Sequence, residues 1–328
     1  MDDRSSCDDT EPSLAVARTE STTMSAILTM TIHGTLAALL VATVGASNAF
    51  AQVCDNQGLV VQVLGSGGPR VNAVRASSSY LVWVNGQGRV LVDAGGGAFL
   101  RFGQAGGRLE DLSLLALSHL HPDHSSDLPA LLWLSNLARK QTLPVAGPSG
   151  TDAVPDFQRF LYRLFDDKNG AFQLLGGTLR GAGQGVPLDV TVVDAARNEP
   201  TVVLERDGIR VTALGVPHGD VPSLAYRVAA AGAAVVFGSD QTGTNPRFVD
   251  FARNADVLVM HLTIGAGAAS PLHAAPDVVG RVARDAAPRR LVLSHIAQFD
   301  LDPAVAEVRK TYTGPITVGE DLLCVPGR

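Results

Sequence analysis

Beyond residue 51 the chain alternates short apolar runs with glycine-rich breaks, the pattern of strands separated by tight turns. Leu59–Gly68, Ser78–Gly97 and Leu112–Ser118 are rich in Val and Leu and predict strands, with the Asn-Gly-Gln-Gly at residues 85–88 as a hairpin signal. Helical spacing follows over Leu128–Arg139, opened by Ser125, Ser126 and Asp127 as cap candidates, and residues 143–147 return to strand. Residues 151–190 predict loop and helix without a definite shape. The second half repeats the theme: strands at Val190–Val193, Thr201–Leu204, Ile209–Val216, Ser223–Ala229, Ala233–Gly238 and Ala255–His261, a helix over Pro276–Ala286, and a strand at Arg289–His295. Two strand-rich halves with helices between them predict an α/β (α+β) domain in which two sheets face each other under outer helices. No low-complexity linker interrupts residues 52–328, which read as one domain.

Residues 1–51 have a different pattern. Leu36–Val44 is a short apolar run followed by Ala49-Phe-Ala51, the small-x-small spacing of a secretory cleavage site, which predicts a cut after Ala51 and a periplasmic or secreted product. The run is too short to span a bilayer, so no stable membrane insertion is expected. No Lys or Arg lies between Met24 and this run, so Met24 and Met30 are alternative starts. Export would leave two cysteines, Cys54 and Cys324, either joined across the ends of the domain or present as free thiols.

Charge narrows the partners. The formal net charge is −6, of which the six acids and two bases of residues 1–51 supply −4. No Lys or Arg run stands out, so no nucleic acid is expected as a partner. A small-molecule substrate is expected instead, and a homodimer is compatible with the chain.

Candidate chemistry concentrates in one place. His119-Leu-His121-Pro-Asp123-His124 puts four ligand-type side chains into six positions, although the whole chain has only eight histidines. At a strand end, residues two apart point the same way, so His119 and His121 can address one ion. Pro122 turns the chain and brings out Asp123 and His124, where a second ion could sit. Nitrogen and carboxylate donors suit Zn²⁺ and tolerate Mn²⁺ or Fe.

The stretch Ser118–His124 resembles the His-x-His-x-Asp-His signature of the metallo-β-lactamase superfamily. That resemblance implies a four-layer αββα sandwich of two mixed sheets with two divalent metal ions at its edge. It implies His119, His121 and His218 as ligands of the first ion, Asp123, His124 and His295 as ligands of the second, and Asp240 between them. Asp93 resembles the aspartate that supports the ligands from behind. The metals would lower the pKa of a shared water and polarise the substrate, with Asp123 orienting that water or taking its proton.

By motif the chain is most similar to the branch of ribonuclease Z, arylsulfatases and small phosphodiesterases, through its Gly-Pro-Ser-Gly at residues 147–150 and the stretch His218–Arg227. His261 and His273 stand at that branch's loop histidines and are candidate catalytic donors. Leu262, however, stands where the branch has a catalytic glutamate, and Ala274 and Ala275 replace its Ser-Thr pair. The resulting expectation is an exported two-metal hydrolase acting on a sulfate ester, phosphate ester or lactone. A β-lactamase is the alternative, and a metal-loaded binding protein without activity is the second.

Overall fold

Alternation along each strand decides which layer its side chains enter. In the computed structural model, which describes Cys54 and residues 57–134, 141–183 and 185–328, one sheet is built from β1 (Leu59–Gly65), β2 (Ser79–Val84), β3 (Gln87–Val92), β4 (Leu114–Ala116), β5 (Leu143–Pro148) and β6 (Leu188–Val193). The second contains β7 (Thr201–Arg206), β8 (Ile209–Val216), β9 (Ser223–Ala230), β10 (Ala233–Phe237), β11 (Val257–His261), β12 (Arg290–Ser294) and β13 (Ile316–Val318). β14 (Cys324–Pro326) returns to the first sheet beside β1. The orders are β14-β1-β2-β3-β4-β5-β6 and β13-β12-β11-β10-β9-β8-β7, and each sheet mixes parallel and antiparallel pairs.

Val61, Val63, Val82, Val90 and Val92 point inward to meet Val211, Tyr226, Val235, Val259 and Val292 between the sheets. Their neighbours Val60, Leu64, Leu81 and Leu91 point outward under helices α1 (Ala98–Gln104), α2 (Pro122–Ser125), α3 (Leu128–Leu134), α4 (Phe157–Phe165) and α5 (Gly177–Arg180) or the loops joining them. On the other face Leu258, Met260, Leu291 and Leu293 pack under α6 (Pro246–Ala252), α7 (Pro276–Ala286) and α8 (Leu301–Arg309). Strands buried on both faces read as continuous apolar runs, which is why they were visible in the sequence. Each fully buried aliphatic side chain contributes about 1.5–3 kcal/mol relative to exposure. The layers are αββα, as the resemblance implied.

Three tethers set the sandwich edge that matters. Tyr80 Oη donates across the core to Ser294 Oγ (2.9 Å), and Tyr226 Oη to the Leu117 carbonyl (2.9 Å). Leu224 N donates to the Ser118 carbonyl (2.9 Å), so β9 is pinned to the chain entering the histidine cluster. Cys54 and Cys324 form a disulfide with Cα atoms 5.8 Å apart, which settles the two alternatives for these residues. The predicted leader and residues 135–139 of the predicted helix lie outside the described residues. Among the described residues no helix is long and apolar enough to cross a membrane.

Candidate metal centre

Parallel strands deliver their C-terminal ends to one edge, and the candidate residues sit on those ends. β3 ends before Asp93, β4 leads into His119 and His121, and α2 carries Asp123 and His124 in its first turn. β8 runs into His218, β10 into Asp240, β11 stops at His261 and β12 stops before His295. His273 lies in the loop ahead of α7. Asp93 (φ 62°), Ser239 (φ 57°) and His295 (φ 51°) adopt the left-handed backbone region, which turns the chain sharply at three of these strand ends. Non-glycine residues persist there only when their surroundings hold them.

Hydrogen-bond logic then orients the rings. His124 Nδ1 donates to Asp93 Oδ2 (2.8 Å) and His218 Nδ1 to the Leu272 carbonyl (2.8 Å). Thr263 Oγ1 donates to the His295 carbonyl (3.2 Å), leaving its lone pair to accept from His295 Nδ1 (2.7 Å). Ser118 Oγ donates to Asp93 Oδ2 (2.8 Å) and can therefore accept from His119 Nδ1 (3.1 Å). With their Nδ1 atoms engaged outward, four rings turn Nε2 inward, the orientation that metal-ligating histidines adopt.

Those inward atoms crowd together. His121 Nδ1 lies 3.1 Å from His119 Nε2 and 3.4 Å from His218 Nε2. Asp123 Oδ2 lies 3.1 Å from His295 Nε2 and 3.7 Å from His124 Nε2. Asp240 Oδ2 stands between the two groups, 3.3 Å from His295 Nε2, 3.6 Å from His124 Nε2 and 3.9 Å from both His119 and His218 Nε2. The donor atoms of His119, His121 and His218 fall within 4.8 Å of one another, as do those of Asp123, His124 and His295. His124 Nε2 and Asp240 Oδ1 are buried with no hydrogen-bond partner, a costly arrangement for isolated polar atoms and a suitable one for ligands. The donor set fits two divalent cations.

The electrostatics agree. Burial drives His119 well below the ordinary histidine range and lowers His121, keeping both as neutral donors. Burial pushes His124 down as well, but the Asp93 and Asp240 carboxylates outweigh it and raise it well above that range. Burial opposes ionisation of Asp240, yet the imidazoles of His295, His124 and His119 hold it well below the carboxylate range. Asp123 is lowered against its burial by the hydrogen bond from His295 and by His124.

The two loop histidines differ. His261 is buried, its Nε2 donates to the Gln241 carbonyl (2.8 Å), and burial lowers it to about 3. The same carbonyl accepts from Ala274 N (2.7 Å), so His261 braces the turn after Asp240. His273 is lowered to about 4, mainly by burial, and faces the centre with Nδ1 3.7 Å from Asp240 Oδ2. Leu262 is buried in the core under α7, so that position sends no carboxylate to the site. Ser118, Thr263 and the Leu272 and Gln241 carbonyls support the site without being part of its sequence signature. Ser118 and Thr263 flank His119 and His261 closely enough to have been suspected, but a carbonyl carries no residue-type signal.

Comparison with known proteins bears on this geometry. Residues 88–296 match the family model described as the beta-lactamase superfamily domain. A ribonuclease Z of Mycobacterium sp. (strain KMS) is 32% identical over 189 residues, covering 55% of this chain and 60% of that protein. The chain thus spans only about three fifths of that relative's length. A ribonuclease Z of Methanosarcina acetivorans is 26% identical over 302 residues, covering 81% of this chain and 97% of that protein. The metallo-beta-lactamase fold protein YhfI of Bacillus subtilis superposes with a TM-score of 0.64 at 23% identity, over 81% of this chain and 98% of that one. Relatives named ribonuclease Z overturn the expectation that nucleic acid has no place among the partners. The physical reason is local: net charge describes the whole surface, whereas the attraction for phosphate at such a site comes from its bound cations. By its matched domain the chain belongs to the metallo-β-lactamase superfamily, and among its relatives it is similar to ribonuclease Z proteins.

Proposed function

We propose that the chain is a metal-dependent hydrolase of phosphoric esters, phosphodiesters foremost, in which His119, His121 and His218 would hold one divalent ion and Asp123, His124 and His295 a second, with Asp240 placed between the two groups. The observation that carries this reading is the Asp240 carboxylate, whose Oδ2 has ring nitrogens of five histidines within 3.9 Å. Zinc suits this donor set best, with manganese or iron as alternatives. Ions bound there would supply Lewis acidity and a water of lowered pKa.

The chain's own residues then divide the work. Asp123 is the more accessible carboxylate of the pair, its side chain 12% exposed against 4% for Asp240, and is placed to orient the attacking water and take its proton. His273 approaches from the opposite loop, where a ring N–H can donate to the departing oxygen. His261 keeps the Gln241 turn, and through it Asp240, in place. The phosphodiester assignment is supported by the ribonuclease Z relatives, and an RNA substrate fits it. Leu262, Ala274 and Ala275 leave His273 as the one loop side chain for proton transfer, which favours an ester with a good leaving group. We also infer that the chain works in an oxidising compartment, a reading supported by the Cys54–Cys324 disulfide.

A panel run with Zn²⁺ and Mn²⁺ tests the assignment: bis(p-nitrophenyl) phosphate, an RNA with a 3′ extension, p-nitrophenyl sulfate, an acyl lactone and a cephalosporin. Turnover of the phosphodiesters well above the others is expected. Hydrolysis of the sulfate, lactone or cephalosporin without the phosphodiesters would replace it.

A further inference from the structure

The loop that follows β1 leans on the candidate centre. Ile296 N donates to the Ser66 carbonyl (2.9 Å) and Gly68 N to the Ile296 carbonyl (3.1 Å), joining this loop to the residue after His295. Gly68 packs so closely that a Cβ there would meet His295 Nδ1 at 3.0 Å. His295 holds an unfavourable left-handed backbone (φ 51°), so its geometry depends on what surrounds it.

Residues 66–77 contain neither helix nor strand, and one buried carboxylate organises them. Asp321 Oδ1 accepts from Ser66 N (3.0 Å) and Ser66 Oγ (2.8 Å). Its Oδ2 accepts from Ala76 N (2.7 Å) and pairs with Arg101 Nε (3.0 Å) on α1. Arg75 ties Ser66 Oγ (2.7 Å) to the Gly319 carbonyl. Both ends of the loop and a neighbouring helix thus meet on one side chain, itself 7% exposed and three residues before the disulfide-bonded Cys324.

We propose that Asp321 is the positioning residue for His295: it clamps the loop at Ser66 and Ala76, and the clamped loop holds the His295 backbone so that Nε2 faces Asp123 and Asp240. The functional consequence rests on the reading that Asp123, His124 and His295 hold one ion; the mechanical link does not. Asp321→Asn keeps the Oδ1 acceptor but places an N–H₂ group against Ala76 N and Arg101.

The test is hydrogen exchange by mass spectrometry on the full chain, paired with competitive zinc titration. In Asp321→Asn, amides of residues 66–77 and 294–298 should exchange at least tenfold faster while residues 117–124 are unchanged. One of the two ions should lose at least tenfold in affinity while the other is retained. Unchanged exchange at 294–298, or an equal rise throughout the chain, overturns the proposal. Arg101→Gln, which leaves the carboxylate in place, should show the same pattern more weakly and guards against a misfolded Asp321 variant. Should the wild-type chain take up a single ion, the two-ion reading falls, and the exchange comparison still decides whether Asp321 holds His295.

Discussion

At His124 two opposing effects meet on one imidazole. Burial disfavours its charge, yet Asp93 and Asp240 raise it well above the ordinary histidine range, so without an ion it holds a proton at pH 7. An ion needs the Nε2 lone pair, so binding must expel that proton. His119 and His121, lowered by burial, are already unprotonated at that pH and release none. Calorimetry of zinc binding at pH 7 in buffers of different ionisation enthalpy should therefore show net proton release on binding. The release should fade as the pH rises through the His124 pKa; a value of zero at pH 7 would contradict the assignment. Asp93 makes a second prediction at this scale, because its Oδ2 fixes the His124 tautomer. Asp93→Asn should weaken metal binding by about 10–100-fold, measured by competition with a chromogenic chelator. The six-position cluster was legible because its ligands are sequence neighbours, whereas His218, Asp240 and His295 became legible only through a known order of motifs.

Elements carried their own signal wherever burial was two-sided. Strands such as β1 and β12 showed as apolar runs and α7 matched its predicted bounds of 276–286. Shorter pieces did not. α1 and α6 are seven residues each, too short for a periodicity to emerge, and β13 and β14 are three-residue strands that exist because a partner strand is there. α4 has an apolar face of Phe157, Leu161 and Phe165, but the glycine-rich stretch after it blurred the reading of residues 151–190. One element junction is tightly specified: a Cβ on Gly95, just beyond β3, would strike the Asp123 carbonyl oxygen and the Ser77 side chain. Gly95→Ala should push α2 outward at a cost of about 1–3 kcal/mol, with loss of metal at Asp123 and His124 exceeding loss of secondary structure. Circular dichroism alongside metal analysis checks it, and full metal content would refute it.

For the whole molecule, the arrangement of histidine is the most informative quantity. Seven of the eight histidines gather at one sandwich edge, and the eighth, His33, belongs to the predicted leader. Net charge was a poor guide at this scale, because it averages over a surface and misses the cations a site would hold. The disulfide joins residues 270 apart, so it restrains nearly the whole unfolded chain. Cys54→Ser with Cys324→Ser should lower unfolding stability by about 2–4 kcal/mol, read from urea midpoints, and an unchanged midpoint would show that the bridge adds nothing. The central claim, a two-ion hydrolytic centre around Asp240, is tested most directly by adding zinc to chelator-stripped protein while following bis(p-nitrophenyl) phosphate hydrolysis. Activity should start near zero, reach its plateau at about two equivalents per chain and stay absent in Asp240→Ala. Full activity in the stripped protein, or undiminished activity in Asp240→Ala, would contradict it.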